Sequence, residues 1–238
     1  MIPWRLPRLC GARPWSYLNS HGSVYATAEN IYGPYTYRGS FCRDAWVDHG
    51  TFFTFHNQLY FTYGVQNNWG EENLDPFYRT TKIIYAHYKD NGDICIDEFI
   101  QDVGVGQYDT SWPAIKGEWY FAASDGVYKK ENADGFEMRG IKDGSYLYYQ
   151  NVNGMRQNAK LFVRGICGQK PCRIEVREGS PFGAVLGCCR IVPDGEGLSE
   201  YAIPLSNTFG THSLCFVFRG EGEDLFTFDD FRFEQPKP

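Results

Sequence analysis

Two neighbouring stretches decide the fold of this chain: GSVYATAENIYGPYTYRG, residues 22–39, and DHGTFFTFHNQLYFTY, residues 48–63. In the first stretch, residues 24–27 are short and β-prone. The dipeptide Gly33-Pro34 then breaks the pattern, and residues 35–37 restart extended structure. This stretch therefore predicts two strands joined by a tight turn.

The second stretch has the alternation of a half-buried strand and then reverses direction. The polar pair His56-Asn57 predicts the turn, and residues 59–63 predict the returning strand. Hairpins of this kind are typical of a propeller blade or of a β-sandwich.

Composition supports an all-β chain and excludes some partners. Aromatic residues make up 17% of the 238 residues, and there are 26 glycines, which favours many short strands joined by tight turns. The net charge of -6 gives no basic stripe, so we expect no nucleic acid and no anionic membrane as partner. No apolar window approaches the roughly 18 residues that a membrane span needs. The first fifteen residues show no signal peptide, so localisation stays unassigned and is compatible with an extracellular or periplasmic full-length parent.

The eight cysteines lack the paired C-x-x-C spacing of a zinc site. We expect buried free thiols rather than a disulfide framework. The alternative for one pair is a bridge between Cys167 and Cys172, which flank the turn at residues 168–171.

The chain is predicted to have two β domains. Residues 1–22 form an irregular arm, residues 23–106 a succession of strand-sized pieces, and residues 107–113 a linker within the Gly-rich, non-periodic stretch 104–113. Residues 114–238 suit a two-sheet sandwich of jelly-roll type. Its nine predicted strands are 118–121, 126–130, 145–152, 160–166, 173–177, 184–192, 199–205, 212–218 and 225–233.

Several motifs in the first segment occur in one order: Tyr25-Ala-Thr27, Tyr32-Gly-Pro-Tyr-Thr-Tyr-Arg-Gly39, Asp48-His-Gly50, Tyr60-Phe-Thr-Tyr63, Lys82-Ile-Ile-Tyr85, Asn91-Gly92 and Gly104-Val105. Together they resemble the later blades of the five-bladed propeller of glycoside hydrolase family 43. A blade takes roughly 40 to 50 residues, so this segment supplies about two blades.

A second set of motifs follows: Glu118-Trp-Tyr120, Gly126-Val127, Glu131, Gly144-Ser-Tyr-Leu-Tyr-Tyr149, Ile174-Glu-Val-Arg177, Gly183, Gly187, Gly210-Thr-His-Ser-Leu214 and Phe228-Asp-Asp-Phe-Arg-Phe233. These are similar to a family 6 carbohydrate-binding module. The two resemblances cover nearly everything after residue 22, in the order that recurs in the hydrolase family. They imply a partial β-propeller followed by a jelly-roll β-sandwich.

The resemblance implies the C-terminal portion of a hydrolase of xylosidase or arabinofuranosidase type, acting on plant polysaccharide such as xylan, arabinoxylan or arabinan. The family's general base, assisting Asp and general acid lie in earlier blades and are not matched here. Inverting hydrolysis needs an acid and a base about 6.5 to 9.5 Å apart, and nothing marks such a pair among the loop carboxylates Asp44, Asp48, Glu71, Glu72 and Asp75. The alternative is a non-catalytic binding or stabilising module. Two blades alone leave apolar sheet faces and strand edges uncovered, so either another chain supplies the missing blades or the sequence is a truncated piece of a longer one, the alternative that we favour.

One propeller position keeps a role by resemblance. His49 matches the histidine that points to the propeller axis beneath the sugar site. A hydrogen-bonded histidine at the end of a strand is the alternative.

The sugar-binding residues of the module are replaced at their family positions, which fall near Arg139-Gly140, near Leu198 and at Thr227. Phe136 and Tyr201 lie close enough in sequence to substitute for the first two. Tyr146 and Tyr148 share one strand face, Leu147 and Tyr149 the other, because side chains alternate along a strand. The outward pair predicts either a flat sugar platform or surface packing.

A structural calcium ion is also implied by the resemblance. Glu118, Glu131 and Asp229 match the family's acidic ligands near the ends of the sandwich. Oxygen-rich clusters of this kind are what Ca²⁺ prefers.

Overall fold

A computed structural model describes residues 15–19, 24–42, 47–66, 79–195 and 197–234. Its regular structure is almost entirely β-strand, with one short α-helix in the described part of the chain. The chain divides into two compact units, one ending at Val105 and the other beginning at Gly106 and including residues 56–58. The all-β prediction is confirmed.

The described residues before Gly104 form two sheets. The three-stranded sheet has the order β1-β2-β3, and the four-stranded sheet has the order β4-β5-β6-β7. The bounds are β1 (Trp15–Asn19), β2 (Val24–Ala28), β3 (Thr36–Ser40), β4 (Val47–Phe55), β5 (Gln58–Gln66), β6 (Arg79–Tyr88), β7 (Ile94–Ile96) and α1 (Glu98–Val103). Each strand pairs with the next one along the chain, so both sheets are meanders.

Both predicted turns are present. Gly33-Pro34 lies between β2 and β3, and Gly33 has a φ of 85°. His56 and Asn57 reverse the chain between β4 and β5 with φ angles of 48° and 66°. Two consecutive positive φ angles are those of a type I′ turn, whose twist matches the flanking strands.

One aromatic core is shared by the two sheets of the first unit. The ring of Phe41, which follows β3, lies 5.8 Å from that of Tyr25 on β2 and 4.9 Å from that of Phe61 on β5. The Tyr25 hydroxyl donates to Asp93 at 3.1 Å and accepts from the Ile94 amide at 2.9 Å. The turn before β7 is thereby tied to β2.

The second unit contains twelve described strands and a single 3-10 turn at Gly117–Trp119. The strands are β8 (Tyr108–Asp109), β9 (Ile115–Lys116), β10 (Ala122–Ala123), β11 (Tyr128–Asn132), β12 (Gly135–Arg139), β13 (Tyr146–Met155), β14 (Lys160–Cys167), β15 (Cys172–Glu178), β16 (Val185–Ile191), β17 (Ser199–Pro204), β18 (Gly210–Gly220) and β19 (Phe226–Glu234).

These strands form two packed sheets. The front sheet has the order β10-β13-β18-β15-β16, with β8 paired to β13. The back sheet has the order β11-β12-β19-β14-β17, with β9 paired to β19. Tyr149 of the front sheet lies 4.9 Å, between ring centroids, from Phe231 of the back sheet, so the inner faces meet in an aromatic core. This is the predicted two-sheet sandwich.

Two parts of the second unit differ from their predicted structure. Within the predicted linker, Tyr108 and Asp109 pair in parallel with Val152 and Asn153, and Tyr108 is 0% exposed. Residues 118 and 119 of the strand predicted at 118–121 belong instead to the 3-10 turn Gly117–Trp119. The chain is packed tightly there, because a Cβ on Gly117 would lie 2.6 Å from the Asp229 carbonyl oxygen.

The seven cysteines in the described ranges are free, as expected. Cys167 and Cys172 are both buried and carry no bridge, so the alternative disulfide is not formed. Burial, followed by the neighbouring Cys167, raises the pKa of the Cys172 thiol to about 12. Cys188 differs from the expectation of burial, because it is exposed on β16.

Candidate functional site

The outer face of the front sheet carries the predicted tyrosine pair. Leu147 and Tyr149 are each 0% exposed in the core, and the alternation of β13 directs the half-buried Tyr146 and Tyr148 outward. The Tyr148 ring makes an edge contact with Phe121 at 5.9 Å between centroids. The two tyrosines therefore combine packing at one side with exposed ring surface.

Short side chains lie beside these tyrosines. Tyr146 pairs with Val217 and Tyr148 with Cys215, both on β18 and both buried. Burial raises the pKa of the Tyr146 hydroxyl, with smaller contributions from Cys215 and Asp125. At neutral pH this hydroxyl is protonated and can donate a hydrogen bond to a ligand.

Tyr201 and Thr227 lie on opposite faces of the back sheet. Tyr201 pairs with the buried Val163, whereas Thr227 pairs with the half-buried Ile166. Their β14 partners are three residues apart, a spacing that places them about 10 Å from each other along the strand. The structure therefore does not bring Tyr201 and Thr227 together.

The Tyr201 side chain has partners within the protein. Its hydroxyl donates to Asp194 at 2.9 Å, and its ring lies 5.7 Å from that of Phe226. Burial, then the Asp194 hydrogen bond, raises the pKa of Tyr201 to about 12. Hydrogen bonds from Ser199 and Tyr201 lower the pKa of Asp194.

Phe136 is 6% exposed in β12, so its ring offers little surface for stacking. The exposed ring of this region is Tyr128, which sequence reasoning missed. Tyr128 is 48% exposed and pairs with Arg139. A Cβ on Gly140 would lie 3.0 Å from the Tyr128 ring. Tyr128 could have been found as a candidate binding residue only from its position opposite Arg139-Gly140, and that position depends on the register of the β11–β12 hairpin.

Thr227 belongs to the same row as Tyr128. Met138 pairs with Phe228 across β12 and β19. In an antiparallel pair the neighbouring residues Arg139 and Thr227 then lie opposite each other. Tyr128, Arg139 and Thr227 therefore form a second polar and aromatic row, on the back sheet.

The three predicted calcium ligands lie on separate elements: Glu118 on the 3-10 turn, Glu131 on β11 and Asp229 on β19. Asp229 accepts a hydrogen bond from Asn132 at 3.0 Å and forms an ion pair with Arg164 at 2.6 Å. Within the described ranges, no three His, Cys, Asp or Glu side chains are grouped to hold a metal ion. Arg164 is thus the cation that the structure shows at Asp229.

The predicted propeller-axis residue cannot be placed. The backbone of His49 belongs to β4, but the structure does not describe its side chain or that of Asp48. The candidate loop carboxylates Asp44, Glu71, Glu72 and Asp75 lie outside the described residues.

No helix in the described part of the chain is long and apolar enough to cross a membrane.

Residues 117–235, half of the chain, match the family model described as carbohydrate binding module (family 6). The chain belongs to this family. The family 6 module coincides with most of the second unit, and its two sheets are those of the sandwich described above. The chain therefore carries a carbohydrate-binding module.

Similarity to hydrolases extends beyond the module. An arabinoxylan arabinofuranohydrolase from Bacillus subtilis (strain 168) is 26% identical over 235 residues, covering 89% of this chain and 44% of the relative. One from Paenibacillus polymyxa is 24% identical over 228 residues, covering 88% of this chain and 36% of the relative. The chain thus spans less than half the length of the curated relatives it matches.

A solved structure supports the fold of both units. It is the glycoside hydrolase family 43 arabinoxylan arabinofuranohydrolase from Bacillus subtilis in complex with cellotetraose. It is similar with a TM-score of 0.51 and 22% identity, over 94% of this chain and 52% of that chain. At this identity the similarity concerns the fold alone.

Proposed function

We propose that the family 6 module binds plant polysaccharide on the outer face of its front sheet, with Tyr146 and Tyr148 as the stacking platform. The observation that carries this proposal is the half-buried tyrosine pair beside the short side chains Val217 and Cys215. The apolar face of a sugar ring packs on an aromatic ring, while hydroxyls such as that of Tyr146 can bond to its edge. Xylan and arabinoxylan are the proposed ligands, since the relatives are named for arabinoxylan.

The test is isothermal titration calorimetry of the chain with xylo-oligosaccharides, arabinoxylan oligosaccharides and cello-oligosaccharides. Losing a half-buried ring surface costs about 1 to 1.5 kcal/mol, so each of Tyr146→Ala and Tyr148→Ala should weaken binding about five- to tenfold. Tyr128→Ala is the matched control, because it removes an exposed tyrosine from the back sheet. A native melting temperature is required of each variant.

A second candidate site is the row of Tyr128, Arg139 and Thr227 on the back sheet. The same titrations separate the two sites: loss of binding in Tyr128→Ala, with Tyr146→Ala unaffected, would move the site to this row. No binding of any oligosaccharide would instead favour the alternative function, a module that only stabilises its neighbour.

For the first unit we propose about two blades of a partial propeller of glycoside hydrolase family 43 type. Two consecutive meanders with one shared aromatic core support it, as does the similarity to arabinoxylan arabinofuranohydrolases. The parent reaction would be inverting hydrolysis of an arabinofuranosyl or xylosyl linkage. The catalytic carboxylates would come from blades that this sequence does not match, supplied by a longer chain or a partner.

Reconstitution tests this part of the proposal. Adding a segment that carries the missing blades should restore release of arabinose or xylose from an aryl glycoside. In the restored propeller, His49→Ala should lower turnover, whereas His56→Ala at the β4–β5 turn should not. Equal turnover of the two variants would remove the proposed role of His49.

Calcium is a separate proposal, on which sugar binding does not depend. Its support is that Glu118 and Asp229 are buried carboxylates, 1% and 2% exposed, which favour a nearby cation. Against it, Arg164 already pairs with Asp229. Calcium bound to Glu118, Glu131 and Asp229 would raise the melting temperature, and chelation would lower it. A melting temperature unchanged by both treatments would remove calcium from the proposal.

A further inference from the structure

A row of arginines lies on the same outer face as the tyrosine platform. Arg173 on β15 pairs with Arg190 on β16 and with Arg219 on β18. Adjacent strands are about 4.8 Å apart, so the three residues span about 10 Å across the front sheet. Like charges directly opposite each other destabilise a sheet. Three adjacent arginines therefore favour an anion on this face.

One buried carboxylate only partly balances this charge. Glu175, with a side chain 5% exposed, pairs with Arg173, accepts from Arg177 at 2.9 and 2.6 Å, and lies 4.0 Å from Arg219. Arg190 is exposed, and no carboxylate in the described part of the chain pairs with it. Three arginines thus share the Glu175 carboxylate and Arg190 adds a fourth positive charge, in a chain whose net charge is -6.

Two further acidic residues lie near the row. Asp143 accepts from the Gly220 amide at 3.2 Å, and Asp125 lies close enough to affect the pKa of Tyr146. Neither forms an ion pair with an arginine of the row within the described residues. The side chains of Arg173 and Arg219 remain 54% and 38% exposed, so both can reach a ligand.

The strand register places the arginines beside the sugar platform. Val217 of β18 pairs with Tyr146 on one side and with Glu175 on the other. Counted across the sheet from Tyr146 on β13, Arg219 on β18 is one strand away, Arg173 on β15 two and Arg190 on β16 three, or about 5, 10 and 14 Å. A sugar ring stacked on Tyr146 leaves a neighbouring substituent within reach of the long arginine side chains.

The guanidinium group is planar and binds carboxylates and similar oxyanions through two parallel hydrogen bonds. We infer that the ligand is an acidic polysaccharide: neutral rings stack on Tyr146 and Tyr148, and Arg173, Arg190 and Arg219 bind the acidic group. That group is a uronic acid carboxylate or a sulfate ester. This inference rests on the proposed function of the same face and names its ligand class.

The experiment compares matched ligands by isothermal titration calorimetry with the full chain. The ligands are a glucuronate-substituted xylo-oligosaccharide, the same compound with its carboxyl group reduced to an alcohol, and a sulfated xylo-oligosaccharide. A charge-assisted hydrogen bond contributes about 1.5 to 3 kcal/mol, so one acidic form should bind at least about tenfold more tightly than the neutral form. The preference should fall in about 1 M NaCl, where the screening length is about 3 Å.

The double variant Arg173→Gln, Arg190→Gln should lose the preference for the acidic ligand and keep the affinity for the reduced one. Arg232→Gln is the matched control, because it removes a similarly exposed arginine from the back sheet. If the double variant fails to fold, Arg219→Gln and the salt titration of the unaltered chain test the same preference.

The outcomes separate the two proposals. A preference for only one acidic ligand supports the inference and identifies the acidic group. Equal binding of acidic and reduced ligands overturns it while leaving the proposed function standing, as does a preference that survives in the double variant. Failure of every ligand to bind overturns both.

Discussion

Arg164 is the cation of a buried charge cluster, and replacing it with methionine should destabilise the second unit. Its guanidinium lies 2.6 Å from Asp229 and 2.6 Å from Asp230. These carboxylates are almost fully buried, with side chains 3% and 6% exposed. Methionine keeps much of the packing volume and removes the charge.

The loss of unfolding free energy in Arg164→Met depends on which partners the two carboxylates keep. Removing one partner of a buried ion pair costs about 3 to 5 kcal/mol. Lys116 still lies 3.8 Å from Asp230, and Asn132 still donates to Asp229. We therefore expect the lower end of the range, about 3 kcal/mol, and a melting temperature lower by about 10 °C.

The loss should depend on pH. Burial raises the pKa of Asp230, and Arg164 opposes that rise, so the variant should raise this pKa further. A carboxyl whose pKa is higher in the folded state than its unfolded value of about 3.9 binds protons more tightly when folded. Stability then falls as pH rises between the two values. The deficit of Arg164→Met should be largest at neutral pH and shrink towards about pH 4.

Urea unfolding, monitored by tryptophan fluorescence at several pH values, measures this loss of stability. The transition of the second unit is fitted by itself, because two units need not unfold together. Arg164→Lys keeps the charge and should restore part of the stability. Arg232→Met removes an arginine from an exposed pair with Glu200 and should cost at most about 1 kcal/mol. Equal losses in Arg164→Met and Arg232→Met, or a loss independent of pH, would refute the reasoning.

Two further predictions concern packing and thiol reactivity. Gly165→Ala should lower the free energy of unfolding of the sandwich by about 1 to 3 kcal/mol or more, because its Cβ would lie 2.2 Å from a carbonyl oxygen of β19. The control Gly197→Ala, whose Cβ would have nothing within 4 Å, should change that free energy by at most about 0.5 kcal/mol. Equal urea midpoints for the two variants would contradict this prediction. In the native chain, a disulfide reagent should label the exposed Cys188 first. Cys172 and Cys215, whose pKa values burial raises to about 12, should react only on unfolding, and mass spectrometry of labelled peptides would reveal any other order.

Local pattern predicts much of this fold. Alternation along residues 146–149 predicts a strand with two distinct faces, and the structure identifies Leu147 and Tyr149 as the core pair. The turn at His56-Asn57 is likewise readable, because polar residues that tolerate positive φ interrupt an apolar alternation. Alternation cannot tell which face is buried, since both pairs are apolar enough to pack.

The remainder of the site depends on pairing between distant segments. Tyr128 lies opposite Arg139, and Arg173 lies between Arg190 and Arg219, only through strand registers. Sequence spacing carries no information on such registers, because the order of strands in the sheet differs from their order in the chain. The resemblance implied Asp229 as a calcium ligand, and its ion pair with the Arg164 guanidinium of β14 could not be predicted, because Arg164 is far from Asp229 in sequence.

The pairing of β8 with β13 has a practical consequence for producing the sandwich by itself. The family match begins at residue 117, yet Tyr108 is completely enclosed and its hydroxyl donates to the Trp119 carbonyl oxygen. A fragment cut at residue 117 would lose this ring as well as β9, leaving bare peptide groups along Val152 and along β19. Unpaired strand edges are templates for self-association. A soluble, monomeric fragment should therefore begin no later than Gly106.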